Sequence, residues 1–169
     1  MDKKIFADSV NNQHKNENII VSICELGFCV IARRNINKGE YIFTFKGKVI
    51  DFSETKRKGE QECMPIQFGE NQYVDTEAPG KYINHSCEPN AGIVNNFDLI
   101  ALEDIAIHTE IRFDYSTTMD ENSYKMQCKC RKKTCRSIVT DFKDLPTETK
   151  KKYIELRIIS DFIYKKHIK

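Results

Sequence analysis

The sequence predicts a mainly β fold of several small antiparallel sheets, followed by one C-terminal helix. Short runs of β-branched and aromatic residues recur along much of the chain, and Gly, Pro and Asn separate them. After Pro146 the apolar residues recur at helical spacing instead. A length of 169 residues with 40% hydrophobic content suits one domain with a substantial core. The predicted strands are 18–23, 28–32, 41–45, 48–50, 64–68, 72–75, 92–95, 99–102 and 110–113.

Two segments depart from the strand pattern. Residues 51–62 are polar and charged, so we expect a loop or a short exposed helix there, where function is most variable. Beyond Pro146, Thr147 can cap a helix and Glu148 favours its positive end. A helix with one apolar face usually packs on the flank of a domain. The predicted apolar face consists of Tyr153, Leu156, Ile159, Phe162 and Ile163.

The composition indicates a cytoplasmic protein that makes no membrane contact. No apolar run approaches the roughly 20 residues of a membrane helix, and the N-terminal segment carries no apolar block of the kind a secretory signal requires. The 7 cysteines are an odd number and suit metal ligation in a reducing compartment better than a disulfide framework. A net charge of +2 is too small to predict nucleic-acid binding by itself, and we expect no direct nucleic-acid contact.

A C-x-C-x4-C loop formed by Cys128, Cys130 and Cys135 predicts a structural zinc site. One loop with these thiols cannot close a tetrahedral zinc shell, so a further ligand must come from elsewhere. Lysine and arginine side chains around the loop would offset the negative charge of the thiolates. The candidates for the remaining ligand are a histidine, Cys24, Cys29, Cys63 and Cys87.

Two polar and aromatic triplets, Asn84-His85-Ser86 and Phe113-Asp114-Tyr115, are weak signals when each is taken alone. Ser86, His85 and Asp114 supply the chemical types of a hydrolase triad. Neighbouring His and Ser side chains rarely face one another productively, and the Gly-x-Ser-x-Gly motif is absent. We therefore reject a hydrolase.

Taken together and in this order, the segments resemble the SET-domain protein lysine methyltransferases. The hallmark NHSCxPN of that family is matched by NHSCEPN at 84–90, and its ELxFDY element by EIRFDY at 110–115. Residues 27–47 resemble the family's opening strands, and CKCRKKTCR at 128–136 resembles its post-SET segment. The resemblance covers residues 18–138. It implies an N-terminal extension at 1–18, a SET domain at 19–116, a post-SET zinc-binding segment at 117–138 and a C-terminal helical extension at 139–169.

The resemblance also implies the site residues. The NHS segment and the FDY strand should form a knot-like crossing, with S-adenosylmethionine on one face and the target lysine entering through a channel from the other. Cys87 is the implied fourth zinc ligand, beside Cys128, Cys130 and Cys135, and Tyr115 is the implied catalytic tyrosine. The implied cofactor-binding residues are Gly27, Phe28, Cys29, Tyr73, Asn84, His85 and Tyr115.

The chemistry of lysine methylation explains these residue types. A lysine ammonium must first lose a proton, which costs about 4 to 5 kcal/mol at pH 7 from a reference pKa near 10.4. A sulfonium charge and an apolar aromatic channel both lower that pKa, and the Tyr115 hydroxyl with nearby carbonyls can orient the amine. Phe113 resembles the family's Phe/Tyr switch, which implies di- or trimethylation. Two positions depart from the family pattern: Cys29 replaces the second glycine of G-x-G, and Phe45 replaces a tyrosine.

Three other hypotheses share these residues. A non-catalytic SET-like module would keep the fold and the zinc but act by binding a partner. A methyltransferase of a small-molecule or peptide amine would use the same site. A basic zinc module binding nucleic acid ranks last, because the implied zinc is shared with the NHSC segment. The preferred substrate is a protein lysine, a histone among the candidates, with specificity expected in residues 51–67 and the C-terminal helix.

Overall fold

The computed structural model of the chain describes residues 2–62 and 64–168. Its strands form small two-stranded and three-stranded sheets, and the predicted mainly β class with C-terminal helical structure is confirmed. The strands are β1 (Ile19–Cys24), β2 (Gly27–Ala32), β3 (Tyr41–Thr44), β4 (Gly47–Ile50), β5 (Ile66–Gly69), β6 (Gln72–Thr76), β7 (Asn84–His85), β8 (Ala91–Val94), β9 (Asp98–Ala101), β10 (Arg112–Phe113), β11 (Met126–Gln127) and β12 (Ile138–Val139). The helices are α1 (Lys3–Gln13), α2 (Phe52–Arg57), α3 (Thr147–Glu155) and α4 (Asp161–His167).

The first sheet is the antiparallel hairpin of β1 and β2. Gly27 opens β2 with a φ of 110°, a backbone conformation that side-chain-bearing residues rarely adopt, so the glycine permits the tight turn. The prediction of one β region over residues 19–50 is only partly right. β3 pairs with β9, and β4 pairs with β6. Gly47 has no side chain, which lets β4 approach the backbone of Asp75 on β6 closely.

The parallel pair of β7 and β10 is the crossing that the resemblance implies. Asn84 lies opposite Arg112 and His85 opposite Phe113. The Ser86 amide then donates to the Phe113 carbonyl at 3.0 Å. Because parallel strands need a long connection, the chain passes through β8 and β9 before it returns. The two motifs that are distant in sequence thus lie side by side.

The helix α1 was not predicted, since residues 1–18 were interpreted only as an extension. Asp2 caps it, accepting from the Lys4 amide at 2.8 Å. The Asn11 side chain fixes it to β1, because its amide donates to the Val21 carbonyl at 2.9 Å and its oxygen accepts from the Val21 amide at 2.8 Å. The short helix expected within 51–62 is α2, which Asp51 and Glu54 begin with a capping box.

The prediction of a single C-terminal helix is wrong in detail, because the structure has two, α3 and α4. Thr147 is the first residue of α3 rather than its cap, and no side chain caps that end. Tyr153, Ile158 and Ile163 are all at most 1% exposed and pack in one cluster. Residues five apart are rotated by about 140° on a continuous helix, so all three can face one cluster only if the helix is interrupted.

The break places Ile158 against β8. A Cβ added to Gly92 would lie 2.6 Å from Cγ2 of Ile158, so the glycine leaves the space that Ile158 fills. This cluster is separate from the main core beneath β1, β2, β3, β8 and β9. Over residues 2–62 and 64–168, no helix has both the length and the apolar character that crossing a bilayer requires.

Candidate active site and cysteine cluster

The four predicted zinc ligands lie together. The sulfurs of Cys87, Cys128, Cys130 and Cys135 are all within 4.8 Å of one another. The distance between the Cys87 and Cys128 sulfurs is 3.7 Å. Four thiolates at about 2.3 Å from a tetrahedral zinc lie about 3.8 Å apart, so this spacing fits the ion.

Backbone amides and His85 surround these sulfurs. The amides of Cys130, Arg136 and Ser137 each point at a cysteine sulfur at 3.4 Å. His85 Nε2 lies 3.4 Å from the Cys87 sulfur. Its Nδ1 accepts from the Tyr115 amide at 3.3 Å, so the ring proton belongs on Nε2 and points at the sulfur. Donors of this kind stabilise thiolate charge, which supports metal ligation.

Two of the other candidates for the fourth ligand, Cys24 and Cys29, do not join this group. Cys24 and Cys29 are bonded to each other as a disulfide across the β1–β2 hairpin. The expectation that the cysteines would serve a metal rather than a disulfide is therefore wrong for this pair. Cys63 lies outside the described residues.

A narrow channel with aromatic walls leads to Tyr115. Its lining includes Phe45, Phe113 and Tyr115, and its cavity volume is about 30 Å³, which is room for one or two water molecules. The Phe113 and Tyr115 rings are 4.9 Å apart between centroids, and Phe45 lies 5.7 Å from Phe113. The Tyr115 hydroxyl donates to the Ile83 carbonyl at 2.8 Å. The catalytic residues proposed from the sequence thus line one channel.

Part of the predicted cofactor group also lies together. The Asn84 side-chain amide donates to the Phe28 carbonyl at 3.3 Å, which joins the NHS segment to the turn of the hairpin. Burial lowers the pKa of His85 to about 4, although the Asp114 charge opposes the shift. The histidine is therefore neutral near pH 7. Phe28 also packs on the ring of Tyr82 at 5.2 Å and on Phe6 of α1 at 5.0 Å.

The described side-chain contacts of Tyr73 are with Phe52 and Glu121 rather than with the other predicted cofactor-binding residues. It is 2% exposed on β6, packs on Phe52 at 6.2 Å and faces the carboxyl group of Glu121. Burial, and then the Glu121 charge, raise the pKa of Tyr73 above its usual range. Its role toward a cofactor stays a prediction.

The buried carboxylate of Asp114 organises this region. Its oxygens accept from both Nη atoms of Arg136 at 2.7 and 2.8 Å, and from the Tyr153 hydroxyl at 2.8 Å. His85 Nδ1 is 3.5 Å from Asp114. Ser86 donates to the Glu88 carbonyl instead, at 2.9 Å, which agrees with the rejection of a hydrolase triad.

Sequence reasoning missed the roles of Tyr153, Glu121 and Phe6. Tyr153 was assigned to an apolar helix face, and its burial is correct. Its hydrogen bond to Asp114 spans 39 residues of sequence, so no local pattern indicates it. Phe6 belongs to the helix that was not predicted, and Glu121 lies in an irregular segment after the FDY motif.

Comparison with known proteins matches the SET domain over residues 27–116. A relative named "Putative histone-lysine N-methyltransferase 1", from Plasmodium falciparum, is 32% identical over 126 residues, which are 64% of this chain and 2% of the relative. "Probable histone-lysine N-methyltransferase set-23", from Caenorhabditis briggsae, is 27% identical over 149 residues, 75% of this chain and 62% of the relative. The chain thus spans less than two thirds of either relative.

Solved structures support the same fold. "ctPRC2 in an autoinhibited conformation bound to S-adenosylmethionine" superposes with a TM-score of 0.53 at 20% identity, over 63% of this chain and 16% of that one. "Crystal structure of an active polycomb repressive complex 2 in the basal state" gives 0.51 at 21% identity, over 59% and 15% of the two chains. The crossing of β7 and β10 beside a cysteine cluster defines a SET-type architecture. This chain belongs to the SET-domain family.

Replacing Arg136 by alanine should destabilise the protein by about 3–5 kcal/mol, because the Asp114 carboxylate would stay buried without its cation. The side chain of Asp114 is 0% exposed and that of Arg136 13%. Urea unfolding of the two proteins measures the difference.

Arg131→Ala is the matched control within the same loop. Its ion pair with Glu25 joins side chains that are 73% and 63% exposed, so the expected loss is at most about 1 kcal/mol. Equal losses for the two variants would contradict the structural role of Arg136.

Proposed function

We propose that the chain is an S-adenosylmethionine-dependent methyltransferase that acts on the side-chain amine of a protein lysine. The observation that carries this proposal is the β7–β10 crossing, in which Asn84 pairs with Arg112 and His85 with Phe113 beside the aromatic channel that Phe113 and Tyr115 line. The names of the relatives, both histone-lysine N-methyltransferases, support a protein lysine as substrate and a histone as one candidate. We also propose a cytoplasmic location, from the composition and from the cluster of four free cysteines.

The proposed mechanism is mainly one of positioning. The cofactor supplies a methyl group carried on a positively charged sulfur. The backbone of β2 at Phe28 and the Asn84 side chain form the cofactor wall, and their hydrogen bond fixes one against the other. The phenylalanine rings of the channel give the lysine apolar neighbours, which lower its pKa. The Tyr115 hydroxyl and the Ile83 carbonyl, held 2.8 Å apart, orient the amine for in-line displacement.

Tyr115→Phe should lower kcat by roughly a hundredfold, because the hydroxyl that positions the amine and the Ile83 carbonyl is lost. The assay follows tritiated methyl transfer from S-adenosylmethionine to histone octamers and to a pool of synthetic peptides, each with a single central lysine. Tyr164→Phe is the matched control, since Tyr164 is 38% exposed on α4 and does not line the channel. Equal labelling by Tyr115→Phe and wild type would remove Tyr115 from its role.

A small-amine substrate and a non-catalytic module give different results in the same assay. Label that enters free amines but no protein or peptide would favour the first. Absence of both methyl transfer and calorimetric S-adenosylmethionine binding would favour the second.

We further propose that Cys87, Cys128, Cys130 and Cys135 hold one structural zinc ion. The support is the sulfur spacing and the amide donors around the sulfurs. Bound there, the ion would fasten the segment 126–139 to the NHSC segment. Cys87 belongs to both the cluster and the motif that contains Asn84, so we expect metal and cofactor site to be coupled.

Cys128→Ser should therefore lose zinc, measured by atomic absorption, and also weaken S-adenosylmethionine binding at least tenfold in calorimetry. A lost ligand typically loosens the neighbouring groups that it orients. Ser123→Ala, an exposed substitution before the cluster, should keep both properties. Full zinc content in the Cys128→Ser protein would contradict the assigned ligand set.

We propose that the product is di- or trimethyl-lysine, since Phe113 leaves room in the channel that a tyrosine hydroxyl would occupy. Phe113 is 4% exposed, with its ring against Tyr115. Phe113→Tyr should shift the product toward monomethyl-lysine, measured by mass spectrometry of a fully turned-over peptide. A wild-type protein that stops at monomethyl-lysine at long times would contradict this proposal.

A further inference from the structure

Glu121 is an acidic residue in the wall of the lysine channel. It lines the same cavity as Phe113 and Tyr115. It also lines a second, outer cleft between β6 and α4, with a cavity volume of about 570 Å³. Glu121 therefore lies between the narrow channel and a wider cleft.

The backbone around Glu121 is held in place on both sides. The Glu121 amide donates to one oxygen of Asp141 at 3.1 Å, and the Asn122 amide to the other at 2.6 Å. The preceding Asp120 amide donates to the side chain of Gln67 at 2.8 Å. A side chain on a backbone fixed in this way has a defined position before any substrate arrives.

The carboxyl group of Glu121 is incompletely hydrogen-bonded. The Tyr73 hydroxyl is one partner of the group, while over residues 2–62 and 64–168 its buried Oε2 makes no hydrogen bond of standard geometry. A buried acceptor without a partner costs free energy, so such an atom calls for a functional explanation. An incoming lysine ammonium, or a water molecule bridging to it, would supply the missing donor, and the channel has room for that water.

We propose that Glu121 is the group that takes the proton from the substrate lysine before methyl transfer. The inference rests on the proposed lysine methyltransferase function and adds a base to a site that otherwise offers only positioning. Direct contact or one bridging water meets the geometric requirement for a general base.

The proposed step balances as follows. A nitrogen–hydrogen bond of the ammonium breaks, and the proton bonds to a carboxylate oxygen of Glu121, which becomes neutral. The lone pair released on nitrogen attacks the methyl carbon, and the carbon–sulfur bond breaks with its electron pair going to sulfur. The neutral Glu121 then releases its proton to water in the outer cleft, so each methyl transfer yields one proton.

The charged surroundings of Glu121 suit this cycle. Burial raises the pKa of Glu121 to about 7, while Tyr73 lowers it and the charges of Asp141 and Glu62 add to the rise. Lys56 also opposes the rise, and it forms an ion pair with Glu62 at 2.7 Å. A base with a pKa close to the working pH both accepts and releases a proton readily.

The test is the pH dependence of kcat/KM, using tritiated S-adenosylmethionine and the best-labelled peptide of the single-lysine pool. For wild type we expect kcat/KM to rise with pH through about 7 and then to level off, because a carboxylate base is fully ionised above its pKa. Glu121→Gln should be about 10²–10⁴ times slower at pH 7.5. Its rate should keep rising tenfold per pH unit toward pH 9.5, since only the free lysine amine then reacts.

Two further variants separate the possible outcomes. Glu103→Gln makes the same charge change at an exposed position, and it should reproduce the wild-type profile. Glu121→Asp keeps a carboxyl group on a side chain one methylene shorter, so its pH profile should keep the plateau at a lower rate. This variant tests the proposal if the Glu121→Gln protein fails to fold or to bind S-adenosylmethionine.

The results that would overturn the role of Glu121 can be distinguished from those that would overturn the proposed methyltransferase function. A wild-type protein without methyl transfer overturns both. An active wild type whose profile is unchanged in a folded Glu121→Gln protein overturns only the role of Glu121.

Discussion

The paired charges of Asp114 and Arg136 are the constraint on which the rest of the structure depends. A carboxylate with 0% side-chain exposure is tolerated only if its oxygens are fully bonded, and here a bidentate guanidinium, the Tyr153 hydroxyl and the Ser116 amide bond it. These partners come from the FDY segment, the cysteine loop and α3. The buried Asp114 carboxylate therefore links the FDY segment, the cysteine loop and α3 to one another beside the channel.

His85 connects this network to the two proposed sites. Its Nδ1 accepts from the Tyr115 amide, and its Nε2 points at the Cys87 sulfur. Because its depressed pKa keeps the ring neutral near pH 7, it can be acceptor on one side and donor on the other. Through His85, the short strand β7 thus contacts the cysteine cluster with one ring nitrogen and the channel tyrosine with the other.

Much of the fold could be predicted, because strand and turn signals are local. The hairpin β1–β2 follows from two runs of β-branched and aromatic residues with a glycine between them, and the helical pattern after Pro146 correctly indicated buried Tyr153 and Ile163. The break at residues 156–160 was not visible, since it depends on Ile158 filling the space over Gly92. The helix α1 was missed because its apolar contacts are few, namely Phe6, Ala7 and Val10, and because the polar side chain of Asn11 makes its hydrogen bonds to β1.

The sequence by itself determined the family, the strand-rich class and the set of cysteines to be examined, since motif letters and their spacing carry that information. It left the partner of the three-cysteine loop open among several residues, and only the resemblance chose Cys87. The tertiary structure decided which sulfurs meet, that Cys24 and Cys29 bond to each other, and that Tyr73 faces Glu121 rather than the NHS segment. The physical reason is that burial, charge pairing and strand pairing in three dimensions select these contacts: Cys87 and Tyr73 meet residues far along the chain, while Cys24 and Cys29 meet across the β1–β2 hairpin.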